Sequence, residues 1–172
     1  MRKIKVNGRY LSWSDGSPFF YLADTAWELF HRLNREEMDL YFEQRSRQGF
    51  NAVQAVVLAE YEGVTTPNAY GRLPLYMTDG IPDPEKPDSD GGYSYWDHVD
   101  FAVDTAARYG IFITMLPTWG DKFNLCWGKG PVILTRQMRM FMENGSGPDM
   151  RTGKTSSGCL GATGRWNLPI GA

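Results

Sequence analysis

Three short apolar runs constrain this chain more than any other feature. They are Phe19–Leu22, Phe50–Ala59 and Ile111–Leu116, and each is followed by polar and aromatic residues. Between the first and second runs lies a helix signature. Asn34 is a good N-cap with Glu37 three residues on, Leu33 and Met38 occupy staple positions, and Gly49 supplies the stop. The Tyr41/Phe42 face should pack on a sheet, while Glu36, Asp39 and Glu43 should face water. Between the second and third runs lies another helix, Ser94–Tyr109. It has a Ser94/Asp97 capping box, a stripe of Trp96, Val99, Ala102, Val103 and Ala106, and Gly110 at its end. On this pattern His98 is a surface residue. Strand–helix–strand–helix–strand with nearly continuous apolar strands predicts a parallel sheet of the α/β class. A doubly wound fold would place a Gly-rich phosphate loop after its first strand. Here that place holds A-D-T-A-W, so a (β/α)₈ TIM barrel fits better.

The exits of the apolar runs carry the chemistry-bearing residues. Phe19–Leu22 leads into Asp24, Trp27, Glu28 and His31; the second run ends at Glu60, Tyr61 and Glu62; the third leads into Trp119 and Asp121, with Trp127 in a Gly-rich loop beyond. In α/β folds, ligands bind at the carboxyl ends of the strands. Carboxylates on neighbouring exits could serve acid–base chemistry or hold sugar hydroxyls, and indoles could stack on sugar C–H faces. The same residues are equally compatible with a helix start and core aromatics. Gln54, the polar exception within the second run, is expected to point into the barrel and bond a neighbour.

Two further segments complete the outline. Asn7-Gly8 and the later Asp15-Gly16 turn make Lys3–Val6, Arg9–Trp13 and the first apolar run an N-terminal β-meander, so residues 1–18 precede the barrel. The stretch from Tyr61 to Tyr93 is rich in Pro, Gly and Asp, and a loop of that length at a strand exit suggests a lid or subsite wall. Asp79, Asp83, Asp88 and Asp90 do not match an EF-hand loop, so no metal is assigned. Only His31 and His98 could offer imidazole ligands, and no cofactor is expected.

The totals exclude several classes. With 18 basic and 20 acidic residues the net charge is −2, which gives no electrostatic footprint for nucleic acid. No apolar run is long enough to span a bilayer, and Met1-Arg2-Lys3-Ile4 opens no secretory leader, so a cytoplasmic location is expected. Cys126 and Cys159 make no disulfide framework.

The three exits, taken together, resemble a known family. G-S-P-F-F-Y-L-A-D-T-A-W-E-L-F-H-R-L, then G-F-N-A-V-Q-A-V, then G-I-F-I-T-M-L-P-T-W-G look like the start of the apiosidase-like glycoside hydrolase catalytic domain, over about residues 8–134. The resemblance implies a (β/α)₈ barrel acting on glycosidic bonds of plant polysaccharide, including apiose linkages of pectin. Two carboxylates would flank an oxocarbenium-like transition state. It implies a carbohydrate partner, with Asp24, Trp27, Glu60 and Trp119 as sugar-site wall and His31 and Gln54 as further members. Asp24 would hold a hydroxyl or a neighbouring side chain, and the two indoles would stack. The family's acid/base is expected after strand four in a W-[VI]-L-G-G-D-R segment, which the chain does not contain as read. Residues 19–134 would therefore form the first three βα units of an incomplete barrel.

Residues 135–172 lose all periodicity. Permitted codons for this stretch, read from the third base of the Thr135 codon, can yield I-W-V-L-G-G-D-R without a stop. Part of that offset peptide is forced, since Met before Glu can give only Gly and Met before Phe only Val. The tail is thus expected to be out of frame, the alternative being a divergent C-terminus. On this reading the chain lacks hydrolytic activity. A non-catalytic carbohydrate-binding or scaffold module is the rival.

Overall fold

The computed structural model describes residues 3–134; the expected tail at 135–172 lies outside them. In chain order the elements are β1 (Ile4–Asn7), β2 (Tyr10–Trp13), β3 (Ala23–Thr25), α1 (Leu29–Arg32), α2 (Arg35–Arg47), β4 (Ala52–Leu58), β5 (Leu75–Thr78), β6 (Ile81–Pro87), α3 (Tyr95–Arg108), β7 (Phe112–Thr118) and α4 (Asp121–Asn124). Strands β3, β4 and β7 form a parallel sheet in the order β3-β4-β7, in register Ala23↔Ala52 and Ala52↔Phe112. Helices α2 and α3 are the crossovers. This is the alternating α/β arrangement of consecutive units of a (β/α)₈ barrel.

Both capping boxes form. Asn34 Oδ1 accepts from the Glu37 N–H at 2.8 Å while Glu37 Oε2 accepts from the Asn34 N–H at 2.9 Å. Ser94 and Asp97 make the equivalent exchange at the start of α3. Strand parity then divides the sheet. Val53, Ala55, Val57, Ile111 and Ile113 pack against Phe42 of α2 and Val99, Ala102 and Val103 of α3 in the main core. Leu33 and Met38, the staple pair, join that cluster. On the other face, Ala52 and Phe112 meet Phe19 beneath the β1–β2 hairpin, which closes the amino end of the sheet with Leu11 and Trp13. Gln54 also faces this side. Its Nε2 donates to Tyr21 Oη at 3.4 Å, and Tyr21 Oη lies 2.9 Å from Thr114 Oγ1.

Three expectations need correction. The first parallel strand is not Phe19–Leu22 but Ala23–Thr25. The Leu22 carbonyl accepts from the Asn51 and Ala52 N–H groups, so pairing with β4 begins only there, and Phe20 is left 77% exposed. His98 is not on the surface: it is fully buried. Its Nε2–H donates to the Leu33 carbonyl at 2.8 Å, which leaves Nδ1 to accept from the Tyr93 hydroxyl at 2.8 Å. Burial first, and the nearby Arg35 charge, hold this imidazole below its usual pKa despite the bond to Leu33. Asp39 and Glu43 are also only half exposed; Asp39 accepts from Arg108 and Tyr109, which ties α2 to the end of α3.

The long segment after β4 is not structureless. It holds the antiparallel β5–β6 hairpin, and Arg72 clamps its base through Asp88 and the Asp90 carbonyl. The Trp96 indole N–H donates to the Pro74 carbonyl at 3.0 Å, which fastens the hairpin to α3.

Candidate functional site

Past their last paired residues, β3, β4 and β7 release their chains on one side of the sheet. The Ala26 N–H still bonds the Gln54 carbonyl at 2.8 Å, and the Val56 N–H bonds the Trp27 carbonyl at 3.1 Å. Trp27 is therefore held against β4 by main-chain bonds before α1 begins. Its ring meets that of Trp119, at the exit of β7, with centroids 5.2 Å apart and planes tilted by 46°. Trp119 in turn meets Trp127 at 6.2 Å, and its indole N–H points at the Trp127 carbonyl at 3.4 Å. Three indoles thus run in sequence across the carboxyl ends of the strands, the last of them 79% exposed.

The outer indole is set by an unusual loop. Leu125 and Trp127 both take left-handed backbone, at φ 63° and 56°. Side chains with a Cβ seldom adopt that region, and such conformations concentrate at binding sites. Gly128 follows because a Cβ there would lie 2.5 Å from Asp121 Cβ. Beneath the loop, Lys122 and Asp121 are both fully buried and paired, Nζ to Oδ2 at 2.9 Å. The same ammonium donates to the Gly130 carbonyl at 2.9 Å and reaches the Tyr61 carbonyl at 3.4 Å. The Gly130 N–H donates to Asp121 Oδ2 at 3.2 Å. One buried lysine therefore joins the exit of β4 to both ends of the Trp127 loop.

Beside the indoles is an open cleft of about 400 Å³, lined by Asp24, Trp27, Glu28, Arg32, Arg45 and Glu60 among others. Its charges are mostly matched. Glu28 pairs with Arg32, one turn along, and Asp24 with Arg45 of α2. Asp24 lies level with Val53, so it faces the helix layer, where it also accepts from the Tyr41 hydroxyl at 2.8 Å and the Thr25 N–H at 2.8 Å. Burial pushes this carboxyl up, but the Arg45, Tyr41 and Thr25 bonds outweigh it and leave the pKa lowered. A carboxylate so held stays ionised and serves as an anchor. Glu60 differs. Burial first, then the Glu28 and Asp121 charges, raise its pKa, with only Lys122 opposing.

The expected site residues thus divide. Trp27, Glu60 and Asp24 line the cleft and the Trp119 ring lies tilted against that of Trp27. Gln54 sits lower, on the barrel-side face with Tyr21. His31 is buried, with its Nε2–H donated to the Thr66 carbonyl at 3.1 Å, and it fastens α1 to the turn after Glu60. Burial holds its pKa low. The long segment contributes that turn. Trp127, Glu28 and Lys122 complete the arrangement. A W-G pair within a Gly-rich loop was the only local signal for Trp127, and nothing local marked Lys122. No group of three potential metal ligands occurs among the described residues.

A family model described as "Apiosidase-like, catalytic domain" matches residues 5–144. Among solved structures, one named as a glycoside hydrolase shares 38% identity at a TM-score of 0.57 over 70% of this chain and 26% of its own. Another, a glycoside hydrolase family 5 protein from Bacteroides vulgatus, shares 37% at a TM-score of 0.57 over 69% of this chain and 24% of its own. The chain therefore spans about a quarter of the length of these solved structures. No curated protein matches it.

Proposed function

The chain belongs to the apiosidase-like catalytic-domain family of glycoside hydrolases, and on that premise we propose that it holds a sugar residue of a pectin side chain without hydrolysing it. The observation that carries this reading is the pairing of the carboxylates in and near the cleft. Asp24 is committed to Arg45, Glu28 to Arg32 and buried Asp121 to Lys122. Among the described residues that line the cleft, Glu60 is the carboxylate left to meet a ligand. Glycoside hydrolysis needs two carboxyl groups across the scissile bond, one to protonate the leaving oxygen and one to attack or activate water. One carboxylate beside a row of indoles offers stacking and hydroxyl binding, which is recognition without the second chemical group. The absence of a W-[VI]-L-G-G-D-R segment in the chain as read supports the same view, and an out-of-frame origin for residues 135–172, proposed with it, would add to that support.

The test is incubation of the purified 172-residue protein with an apiosyl glycoside and with pectic side-chain oligosaccharides. Sugar release should stay at the level of a protein-free blank, while indole fluorescence changes on titration. Release above the blank that disappears in Glu60→Gln overturns the proposal. Sequencing the gene checks the tail: a DNA text whose offset frame lacks I-W-V-L-G-G-D-R removes that support.

A further inference from the structure

Resting on the sugar-site reading, we infer that the cleft selects uncharged sugars and turns uronates away, and that Glu60 sets this preference. Three carboxylates (Asp24, Glu28 and Glu60) and two guanidiniums (Arg32 and Arg45) line the cleft. Both guanidiniums already face a carboxylate, Arg32 that of Glu28 and Arg45 that of Asp24. The third cation nearby, Lys122, is fully buried and engaged by Asp121 and the Gly130 carbonyl. A sugar carboxylate is normally gripped by a guanidinium fork or an ammonium with free donors. Among the described residues each of these cations thus already sits against a carboxylate, which a sugar carboxylate would have to share.

The remaining charge works in the same direction. One negative charge is left over in the cleft, and it is the partly buried Glu60 carboxylate, flanked by Glu28 and Asp121. A carboxylate accepts hydrogen bonds and donates none, so it suits vicinal sugar hydroxyls and repels a second carboxylate. At a separation of about 6 Å that repulsion corresponds to between roughly threefold and a hundredfold in affinity, for effective dielectric constants from water to a protein surface. Within pectin, this assigns the wall to a neutral side-chain sugar and not to the galacturonate backbone.

The experiment compares methyl α-galactopyranoside with methyl α-galactopyranosiduronate, which share ring and linkage and differ only at C6. The probe is the indole N–H chemical shifts of the full chain at pH 7 in low salt. The neutral glycoside should bind at least about threefold tighter. In Glu60→Gln the ratio should fall to within about twofold. On the unaltered chain, 0.5 M salt should also shrink the ratio, because screening acts on the uronate alone. Equal or tighter uronate binding by the unaltered chain overturns the inference, as does an unchanged ratio in Glu60→Gln, and both leave the sugar site standing. No shift with either glycoside overturns the sugar-site reading, and the selectivity with it.

Discussion

Replacing Lys122 by Met should be among the most damaging single changes in the described part of the chain. Met keeps most of the side-chain volume and removes the ammonium. Asp121 would then lie fully buried with the Gly130 N–H as its remaining donor, since its Oδ1 already has no hydrogen-bond partner among the described residues. Removing one partner of a buried ion pair costs about 3–5 kcal/mol, because the other charge stays desolvated and unmatched. The lost bond to the Gly130 carbonyl adds about 1 kcal/mol. Domains of this size have about 5–15 kcal/mol in total. Urea denaturation followed by tryptophan emission should show the midpoint falling by about 2–3 M, for a slope of about 2 kcal/mol per M. The double variant Asp121→Asn/Lys122→Met should recover at least half of the loss, since it removes the stranded charge and keeps an acceptor for Gly130. A cost below about 1 kcal/mol for Lys122→Met, or a double variant as unstable as the single one, would refute the claim that this pair is dry and holds the loop.

Other expectations concern single groups. Asp24→Asn should cost about 1–2 kcal/mol at pH 7, as charge-assisted bonds from Arg45 and Tyr41 are weakened. Because the folded pKa of Asp24 lies below its ordinary value, its stabilisation is present above that value and is lost as pH falls through the folded one. Melting curves at acid pH should lose that component in the variant. Asp100 behaves oppositely: burial, then Asp104 and Asp97, push its carboxyl up to about 6. Ionisation penalises the folded state as pH rises from the ordinary carboxylate range through about 6. Asp100→Asn should therefore gain about 1 kcal/mol at pH 7, after discounting for solvent screening, and nothing near pH 4. Gly128→Ala should cost about 1–3 kcal/mol and blunt the fluorescence response to sugar, since the new Cβ collides with Asp121; Gly92→Ala, which meets nothing within 4 Å, is the control.

Local sequence carried the helices and the strand order. Asn34/Glu37 and Ser94/Asp97 set both helix starts because capping bonds span three residues and need no tertiary partner. The alternation of apolar runs with these helices likewise implied a parallel sheet. Within the candidate site, the placing of the indoles at 27 and 119 and the carboxylate at 60 near one another was legible because strand exits are adjacent in any parallel α/β sheet. Where the first strand begins was decided by its neighbour: backbone pairing with β4 starts at Leu22, so the most apolar stretch became the approach to the strand. That register also turned Asp24 toward Tyr41 and Arg45, since a shift of one residue reverses the face a side chain presents. His98 sits on α3 beside its apolar stripe, and only Leu33 and Tyr93, brought in from other segments, make its burial affordable. The same holds for Lys122. Its charge reads as surface in one dimension, and only the return of Tyr61 and Gly130 to its ammonium makes it the buried post on which the Trp127 loop stands. The sequence by itself thus determined the two long helices and the order of the parallel strands, while the start of β3 and the β5–β6 hairpin were set by their pairing partners. Tertiary structure decided which charges are matched and which one is left unmatched among the described residues, because pairing depends on distances that no local pattern encodes.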